Sequence, residues 1–186
     1  ISPLILINKM DTLNDDEKEI VENIEAIYQN IGYDTLPISS YSKLNLDLLI
    51  EKIRDKTSVF FGHSGCGKST LVNAMQPDLH IRTGEISESV LKGKHTTTFA
   101  QMHFWDFGGS VIDTPGVREF AMIDVEKEEI QHYFPEIFQK GRDCKYHNCM
   151  HINEPKCAVL QSLESGDIEE TRYITYLKLM EEAEEI

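Results

Sequence analysis

The chain begins with short apolar runs that alternate with amphipathic helical patterns. Residues 3–7 are apolar and are closed by polar residues, which is typical of a strand buried in a parallel sheet. Asn14, with Glu17 three positions later, indicates a helix N-terminus, and apolar residues then recur with helical period until Gly32. Similar patterns predict strands at 35–39 and 57–61 and helices that begin near Leu46 and Lys68. Strands that alternate with helices favour an α/β fold with a parallel-rich sheet and flanking helices.

The middle of the chain is less regular. Residues 80–97 have no apolar period and are predicted to form a long loop. The runs at 99–107 and 110–112 flank two consecutive glycines, a pattern that predicts a β-hairpin.

The last third of the chain has a different character. From about Met122 onward the strand signals end and helical patterns dominate, up to an acidic amphipathic helix at 168–185. We therefore expect two domains, one at 1–121 that contains the sheet and a smaller helical one at 122–186.

Charge and composition narrow the class of protein. The 186 residues include 32 acidic and 18 basic side chains, a formal net charge of −14 at pH 7. Such a surface repels phosphate backbones and lipid headgroups, so any contact with nucleic acid must be local. No apolar run approaches the roughly 20 residues of a membrane span, and none resembles a signal peptide. We expect a cytoplasmic protein that does not act in a membrane. Because residues 3–7 already read as a strand, we also expect a further N-terminal segment.

A glycine-rich motif after the strand at 57–61 indicates phosphate binding. It consists of Gly62, His63, Ser64, Gly65, Cys66, Gly67, Lys68, Ser69 and Thr70. The motif fits G-x-x-x-x-G-K-[ST] and lies between a predicted strand and a predicted helix, the context that a P-loop requires. Backbone N–H groups and the helix N-terminus can surround a β-phosphate. Lys68 supplies charge to the β- and γ-phosphates, and Ser69 supplies a hydroxyl to Mg²⁺. The alternative is a tight turn with a chance Lys-Ser pair.

A second motif selects the base. The first predicted strand is followed by Asn8, Lys9, Met10 and Asp11, which read N-K-x-D. The Asp11 carboxylate can accept from both N1–H and N2–H₂ of guanine, whereas adenine would leave it unpaired. Lys9 can lie over the ring plane, and Asn8 can brace the loop. Ser39 and Ser40 end another predicted strand and can place a backbone N–H near guanine O6, although alone they would be an ordinary polar turn.

Two further motifs are typical of a nucleotide-dependent switch. The hairpin is followed by Asp113, Thr114, Pro115 and Gly116, which read D-x-x-G. The Asp113 carboxylate can hold a Mg²⁺-bound water, and the Gly116 N–H can reach the γ-phosphate. A threonine from the run at 96–98 can ligate Mg²⁺ and become ordered only when a γ-phosphate is present. Each motif alone is common loop composition, but together with the P-loop they predict a site for GTP with Mg²⁺.

Three of the four cysteines lie close together near the end of the chain. Cys144, Cys149, His151 and Cys157 have the spacing C-x₄-C-x-H-x₅-C, and His147 offers an alternative C-x₂-H spacing. Three thiolates and one imidazole suit a closed tetrahedral zinc site. Four protein ligands leave no open position, so the metal would be structural and would supply much of the folding energy of so small a unit. Buried free thiols are the alternative.

The order of these motifs is abnormal for a small GTPase, in which N-K-x-D and the serine motif follow the P-loop and D-x-x-G. Here they precede them, which indicates a circular permutation of the same sheet. With the segments at 83–87, 93–98 and 113–120, the cysteine cluster and the tail at 172–178, this order resembles the RsgA (YjeQ) family of bacterial GTPases over essentially the whole chain.

The resemblance implies an OB-fold that would precede these residues, then the permuted P-loop GTPase domain and a small zinc domain. It also implies a role in late maturation of the small ribosomal subunit, GTPase activity stimulated by that subunit, and contact with its rRNA. We expect a monomer. Among the alternatives above, the resemblance assigns His151 to zinc and Thr97 to Mg²⁺, and His147 is then expected to be exposed.

Catalysis needs a group that orients the attacking water. Val117 follows the D-x-x-G glycine and has no hydrogen-bonding group. His95 precedes the threonines and is the best local candidate, and the corresponding histidine of the family is likewise implicated in hydrolysis. We expect His95, Lys68 and Thr97 to act in GTP hydrolysis. One alternative is a GTP-state-dependent docking scaffold with negligible hydrolysis. Another is a zinc-ribbon nucleic-acid binder with a vestigial P-loop, but the intact P-loop argues against this second alternative.

Overall fold

The computed structural model describes residues 2–79, 101–113 and 125–183. The chain divides into two compact units, Ile1–Phe120 and Ala121–Ile186. None of the described helices combines the length and the apolarity that crossing a bilayer requires.

The first unit alternates strands and helices, as the sequence predicts. Its described strands and α-helices are β1 (Leu4–Ile7), α1 (Asp15–Asn30), β2 (Asp34–Pro37), α2 (Leu46–Ile53), β3 (Thr57–Val59), α3 (Lys68–Met75), β4 (Gln101–Phe104) and β5 (Ser110–Asp113), and two short 3-10 helices lie at Met10–Thr12 and Pro77–Leu79. At the start of α1, the Asn14 side chain accepts from the Glu17 N–H while the Glu17 carboxylate accepts from the Asn14 N–H. The predicted helix N-terminus is therefore confirmed.

The described strands form two sheets. β1 and β2 pair in parallel, with Leu6 opposite Leu36. In the second sheet, in the order β3-β5-β4, β5 pairs in parallel with β3 and antiparallel with β4. β1 is followed by N-K-x-D and β3 by the P-loop, so each parallel pair carries a predicted motif at its carboxyl end.

The first hairpin strand ends earlier than predicted, because residues 105–109 form the turn between β4 and β5. The Trp105 N–H donates to the Gly109 carbonyl, and the Gly108 N–H donates to the Trp105 carbonyl. Gly108 and Gly109 have positive φ angles of 94° and 85°. A Cβ at Gly109 would also lie only 2.7 Å from the backbone nitrogen of Lys56, so this position requires glycine for space as well as conformation.

One apolar core holds the first unit together. It lies between the strands and helices α2 and α3, and Ile38 and Leu49 are fully buried within it. The buried members are Leu36, Ile38, Leu46, Leu49, Ile53, Leu71, Val72, Trp105 and Val111. Because α2 and α3 bury residues in the same core, the start of α3 is held firmly against the rest of the unit.

The described part of the second unit contains helices and connecting loops. The α-helices are α4 (Lys127–Ile130), α5 (Pro135–Gly141), α6 (Ala158–Glu164) and α7 (Glu170–Glu182), and a 3-10 helix at Gln131–Tyr133 follows α4. The helix predicted at 168–185 begins later because Glu169 has extended backbone angles, and Ile168 is instead a buried core residue before the helix. Cys149 and Cys157 belong to the core of this unit, together with Ile130, Phe134, Ile137, Val159, Ile168, Tyr173, Tyr176 and Met180.

Candidate nucleotide site and metal centre

The P-loop lies between β3 and α3, as predicted. Gly65 and Gly67 have φ angles of 79° and 101°, which residues with a Cβ rarely adopt. Gly67 is the residue directly before α3, and its carbonyl accepts from the Leu71 N–H at 2.8 Å. The loop therefore leads directly into a helix N-terminus, where unpaired N–H groups and the helix dipole favour an anion.

Lys68 is folded back on this loop. Its Nζ donates to the carbonyl oxygens of Gly62 and His63, the latter at 3.0 Å, and lies 3.8 Å from Cys66 Sγ. The ammonium group is thus held by carbonyl oxygens of the loop itself, which it can exchange for phosphate oxygens.

Asn8 joins three of the predicted motifs. Its Nδ2 donates to the Cys66 carbonyl of the P-loop at 3.0 Å. Its Oδ1 accepts from the Lys9 N–H at 2.8 Å and from both the N–H and the Oγ of Ser40 at 3.1 Å. A Cβ at Gly67 would collide with the Asn8 amide, so the glycine also allows this close approach. One side chain therefore ties N-K-x-D, the serine motif and the P-loop together.

Lys9 and Asp11 complete this arrangement. Lys9 Nζ donates to the Gly65 carbonyl at 2.7 Å, so its aliphatic stem runs from N-K-x-D to the P-loop. The Asp11 side chain is exposed and accepts from the Oγ of Ser39, which is fully buried. The Ser39 hydroxyl thus fixes the orientation of a carboxylate that is open to a ligand.

The serine motif has a feature that its sequence does not reveal. The Ser39 N–H donates to the Leu44 carbonyl at 3.2 Å, and the Ser40 N–H donates to Asn8 Oδ1. Both N–H groups are engaged within the protein, so a contact from either to guanine O6 would require exchange of one of these bonds.

Asn8→Ala is expected to lower the free energy of unfolding of the first unit by about 2–4 kcal/mol, because several hydrogen bonds are lost and the buried Ser40 loses its partner. Urea denaturation measures the change. Asn30→Ala, at the exposed end of α1, is the matched control and should change stability by less than about 0.5 kcal/mol. A loss at Asn8 as small as that of the control would contradict the bracing role.

The remaining nucleotide-site predictions fall at or beyond the edge of the described residues. Asp113 is the last residue of β5. His95, Thr97 and Gly116 lie outside the residues that the structure describes.

In the second unit, Cys144, Cys149, His151 and Cys157 come together. Their potential ligand atoms all lie within 4.8 Å of one another. Cys144 Sγ is 3.8 Å from Cys157 Sγ, and His151 Nδ1 is 3.6 Å from Cys144 Sγ and 3.5 Å from Cys157 Sγ. A tetrahedral zinc ion with ordinary bond lengths separates two sulfurs by about 3.8 Å and a sulfur from a nitrogen by about 3.6 Å. The donor set and its spacing therefore fit a metal ion.

The ligands are placed by the ends of two helices and the loop between them. The Cys144 N–H donates to the Gly141 carbonyl at the end of α5, and Cys157 precedes α6, where its Sγ accepts from the Leu160 N–H at 3.5 Å. The Ala158 N–H donates to Cys144 Sγ at 3.3 Å. Such N–H···S bonds favour thiolates, the form that binds metal.

Burial governs the protonation of the cluster residues. It raises the pKa of Cys149 to about 12 and also raises the pKa of Cys157. Burial lowers the pKa of His151, so the imidazole is neutral and can offer a lone pair. His147, the alternative ligand in the sequence, is exposed and lies outside the cluster.

Comparison with known proteins agrees with a nucleotide site in the first unit. A sequence model of the RsgA GTPase family matches residues 1–123. Proteins named small ribosomal subunit biogenesis GTPase RsgA are 45% identical over 185 residues in Christiangramia forsetii and 47% identical over 181 residues in Flavobacterium psychrophilum. The two alignments include 100% and 97% of this chain but only 59% and 56% of the relatives, so the chain spans less than two thirds of their length.

Two solved structures resemble the fold. The crystal structure of YjeQ from Thermotoga maritima has a TM-score of 0.83 and 37% identity, covering 98% of this chain and 60% of that one. The structure of YloQ, described as a circularly permuted GTPase, has a TM-score of 0.77 and 36% identity, covering 98% of this chain and 57% of that one. This chain belongs to the RsgA GTPase family and has its circularly permuted GTPase fold.

Proposed function

We propose that this chain binds and hydrolyses GTP as part of a factor in late maturation of the small ribosomal subunit. The observation that carries the proposal is the Asn8 network, which holds a base-recognition motif against a phosphate-binding loop. The relatives' name, small ribosomal subunit biogenesis GTPase, supports the biological role.

The Asp11 carboxylate, held by Ser39, would accept from N1–H and N2–H₂ of guanine. The stem of Lys9 would cover the ring. The phosphates would lie against the P-loop, where Lys68 would contact the β- and γ-phosphates. Ser69 and Thr97 would hold Mg²⁺, which neutralises charge on the phosphate oxygens.

We propose zinc as the metal of the cluster formed by Cys144, Cys149, His151 and Cys157, because thiolate sulfurs and an imidazole nitrogen suit zinc, whereas magnesium, calcium and manganese prefer oxygen ligands. The four protein ligands fill a tetrahedral shell, so the ion would be structural. We also propose that the two units are separate domains, 1–121 and 122–186.

The proposed partner is the small ribosomal subunit with its rRNA, which a monomer in the cytoplasm would meet. Phosphate release from GTP, measured with and without purified subunits, tests this. We expect clear stimulation by the subunit in the wild-type chain, and no nucleotide binding in Lys68→Ala. Binding of GTP with negligible turnover under both conditions would instead favour the docking scaffold, for which Val117 is the supporting residue.

His95→Ala is expected to retain GTP affinity and to lose most of the subunit-stimulated turnover. The reason is that an imidazole can orient the attacking water in the transition state, whereas we assign it no contact with bound GTP. The same phosphate-release assay, with GTP affinity measured in parallel, checks the split. His132→Ala, a histidine of the second unit, is the control and should leave turnover unchanged. Undiminished turnover in His95→Ala would transfer the water-positioning role to the ribosome.

A further inference from the structure

Two tyrosines of α7 hold the backbone of the loop at residues 150–154, which carries the candidate metal ligand His151. Tyr173 Oη donates to the His151 carbonyl at 2.6 Å, and Tyr176 Oη donates to the neighbouring Met150 carbonyl at 2.9 Å. Tyr173 and Tyr176 are only 8% and 1% exposed, so water does not compete for these carbonyls. The spacing of three residues places both rings on the same side of α7.

The N–H groups of the same loop are held by a single carboxylate. Glu154 accepts from the N–H of Met150 at 2.7 Å, of Ile152 at 2.9 Å and of Asn153 at 3.0 Å. Burial alone would raise the pKa of Glu154, but these backbone hydrogen bonds lower it, so the carboxylate is ionised. His151 stands between these bonds with a φ of 59°, a conformation that the loop imposes on it.

A hydrogen bond between His151 and Gln131 determines which nitrogen of His151 faces the sulfurs. Gln131 Nε2 donates to the Glu128 carbonyl at 3.0 Å, so its Oε1 must be the atom that lies 3.2 Å from His151 Nε2. The imidazole proton therefore sits on Nε2, and Nδ1 presents its lone pair to the cysteines. Gly141 leaves room for this ring, since a Cβ there would lie 3.0 Å from His151 Nε2.

We propose that Tyr173 and Tyr176 are positioning residues that couple metal binding to the docking of α7, through the carbonyls of Met150 and His151. The inference rests on the proposed metal site. When α7 is docked, the loop is held in the conformation that aims His151 Nδ1 at the cysteine sulfurs. When the metal is lost, His151 is released and the two phenols lose well-placed partners, so α7 loosens with it.

The ring packing of Tyr173 and Tyr176 can be separated from the hydrogen bonds that their hydroxyl groups make to the loop. The Tyr176 ring makes an edge contact with Phe134, and α7 is also held by Arg172, which pairs with Glu136 at 2.8 Å and lies 4.6 Å over the Phe134 ring. Phenylalanine at both positions preserves these ring contacts and removes only the two hydroxyl groups. The double variant Tyr173→Phe/Tyr176→Phe therefore separates hydrogen bonding to the loop from packing of the helix.

The test measures zinc affinity of the full chain by competition with a chromophoric chelator. Loss of contacts that orient a metal ligand typically lowers metal affinity 10- to 100-fold, so we expect about that loss in Tyr173→Phe/Tyr176→Phe. Tyr133→Phe, which removes an exposed hydroxyl from the same unit, is the control and should stay within about twofold of wild type. Hydrogen exchange provides a second readout: with zinc bound, protection of α7 should be lower in the double variant than in wild type or in Tyr133→Phe.

The outcomes separate the two proposals. A wild-type chain that takes up no zinc would overturn the metal site and the coupling with it. Stoichiometric zinc in wild type, with equal affinity in the double variant and in Tyr133→Phe, would overturn the coupling alone. If the double variant does not fold, the two single variants are measured instead, and affinities equal to the control in both would likewise overturn the coupling.

Discussion

Replacement of His151 by alanine, or removal of zinc with a chelator, is expected to unfold the second unit while the first unit still binds GTP. Cys149 and Cys157 are buried members of the core of the second unit, and His151 is 1% exposed. Loss of the metal therefore disrupts the centre of the unit rather than its surface. Structural zinc contributes on the order of 10–16 kcal/mol in small zinc-dependent domains, which is comparable to the entire stability of a typical domain, about 5–15 kcal/mol.

The measurements are hydrogen exchange over residues 125–183, zinc content, and binding of a fluorescent GDP analogue. His147→Ala is a close control, because it removes an exposed histidine from the same loop region and should leave zinc content and protection unchanged. Equal loss of nucleotide binding and of the helical unit on zinc removal would contradict the proposed separation into two domains. Full protection of residues 125–183 without zinc would contradict a structural metal.

Asp11→Asn is expected to weaken GTP binding about 10- to 100-fold and to improve binding of xanthosine triphosphate. The reason is that the carboxylate would accept two hydrogen bonds from guanine in the proposed site, and hydrogen bonds to a charged group contribute about 1.5–3 kcal/mol. An amide at this position offers one donor and one acceptor, which match the O2 and N1–H of xanthine. The carbonyl oxygen of that amide can still accept from the Ser39 hydroxyl, so the loop should keep its conformation.

Equilibrium titration with both nucleotides measures this change in preference. Asp16→Asn alters an exposed carboxylate in the first turn of α1 and should leave the preference for guanine intact. Unchanged GTP affinity in Asp11→Asn would show that the base binds elsewhere. A parallel loss of both nucleotides would point to misfolding of the loop, and urea denaturation of the variant would detect this.

Much of the first unit could be predicted from local patterns. Asn14 and Glu17 predicted the start of α1, and the P-loop motif predicted that a helix begins at Lys68. These features depend on residues close together in the sequence, which is why they are visible there. The ends of strands were less predictable, because the turn at residues 105–109 is set by pairing between β4 and β5.

The contacts around the sites were not predictable in the same way. The sequence predicted a helix at 168–185 but not the partners of its two tyrosines, although their spacing of three residues indicates that they share one face of the helix. Nothing in the sequence indicated that Gln131 and Glu154 contact the metal-ligand loop, because a glutamine or glutamate in a polar segment is ordinarily solvated. Their partners are known only when the loop and helices are folded.

By itself the sequence determined the chemistry of this protein: a P-loop, an N-K-x-D motif in permuted order, and three cysteines with a histidine at metal-ligand spacing, with His147 as a rival to His151. The tertiary structure decided how those groups are held. It placed Asn8 between three motifs, engaged the N–H groups of Ser39 and Ser40 within the protein, and brought His151 rather than His147 into the cysteine cluster. The physical reason is that motif chemistry resides in individual side chains, whereas hydrogen-bond partners and burial depend on residues far apart in the chain.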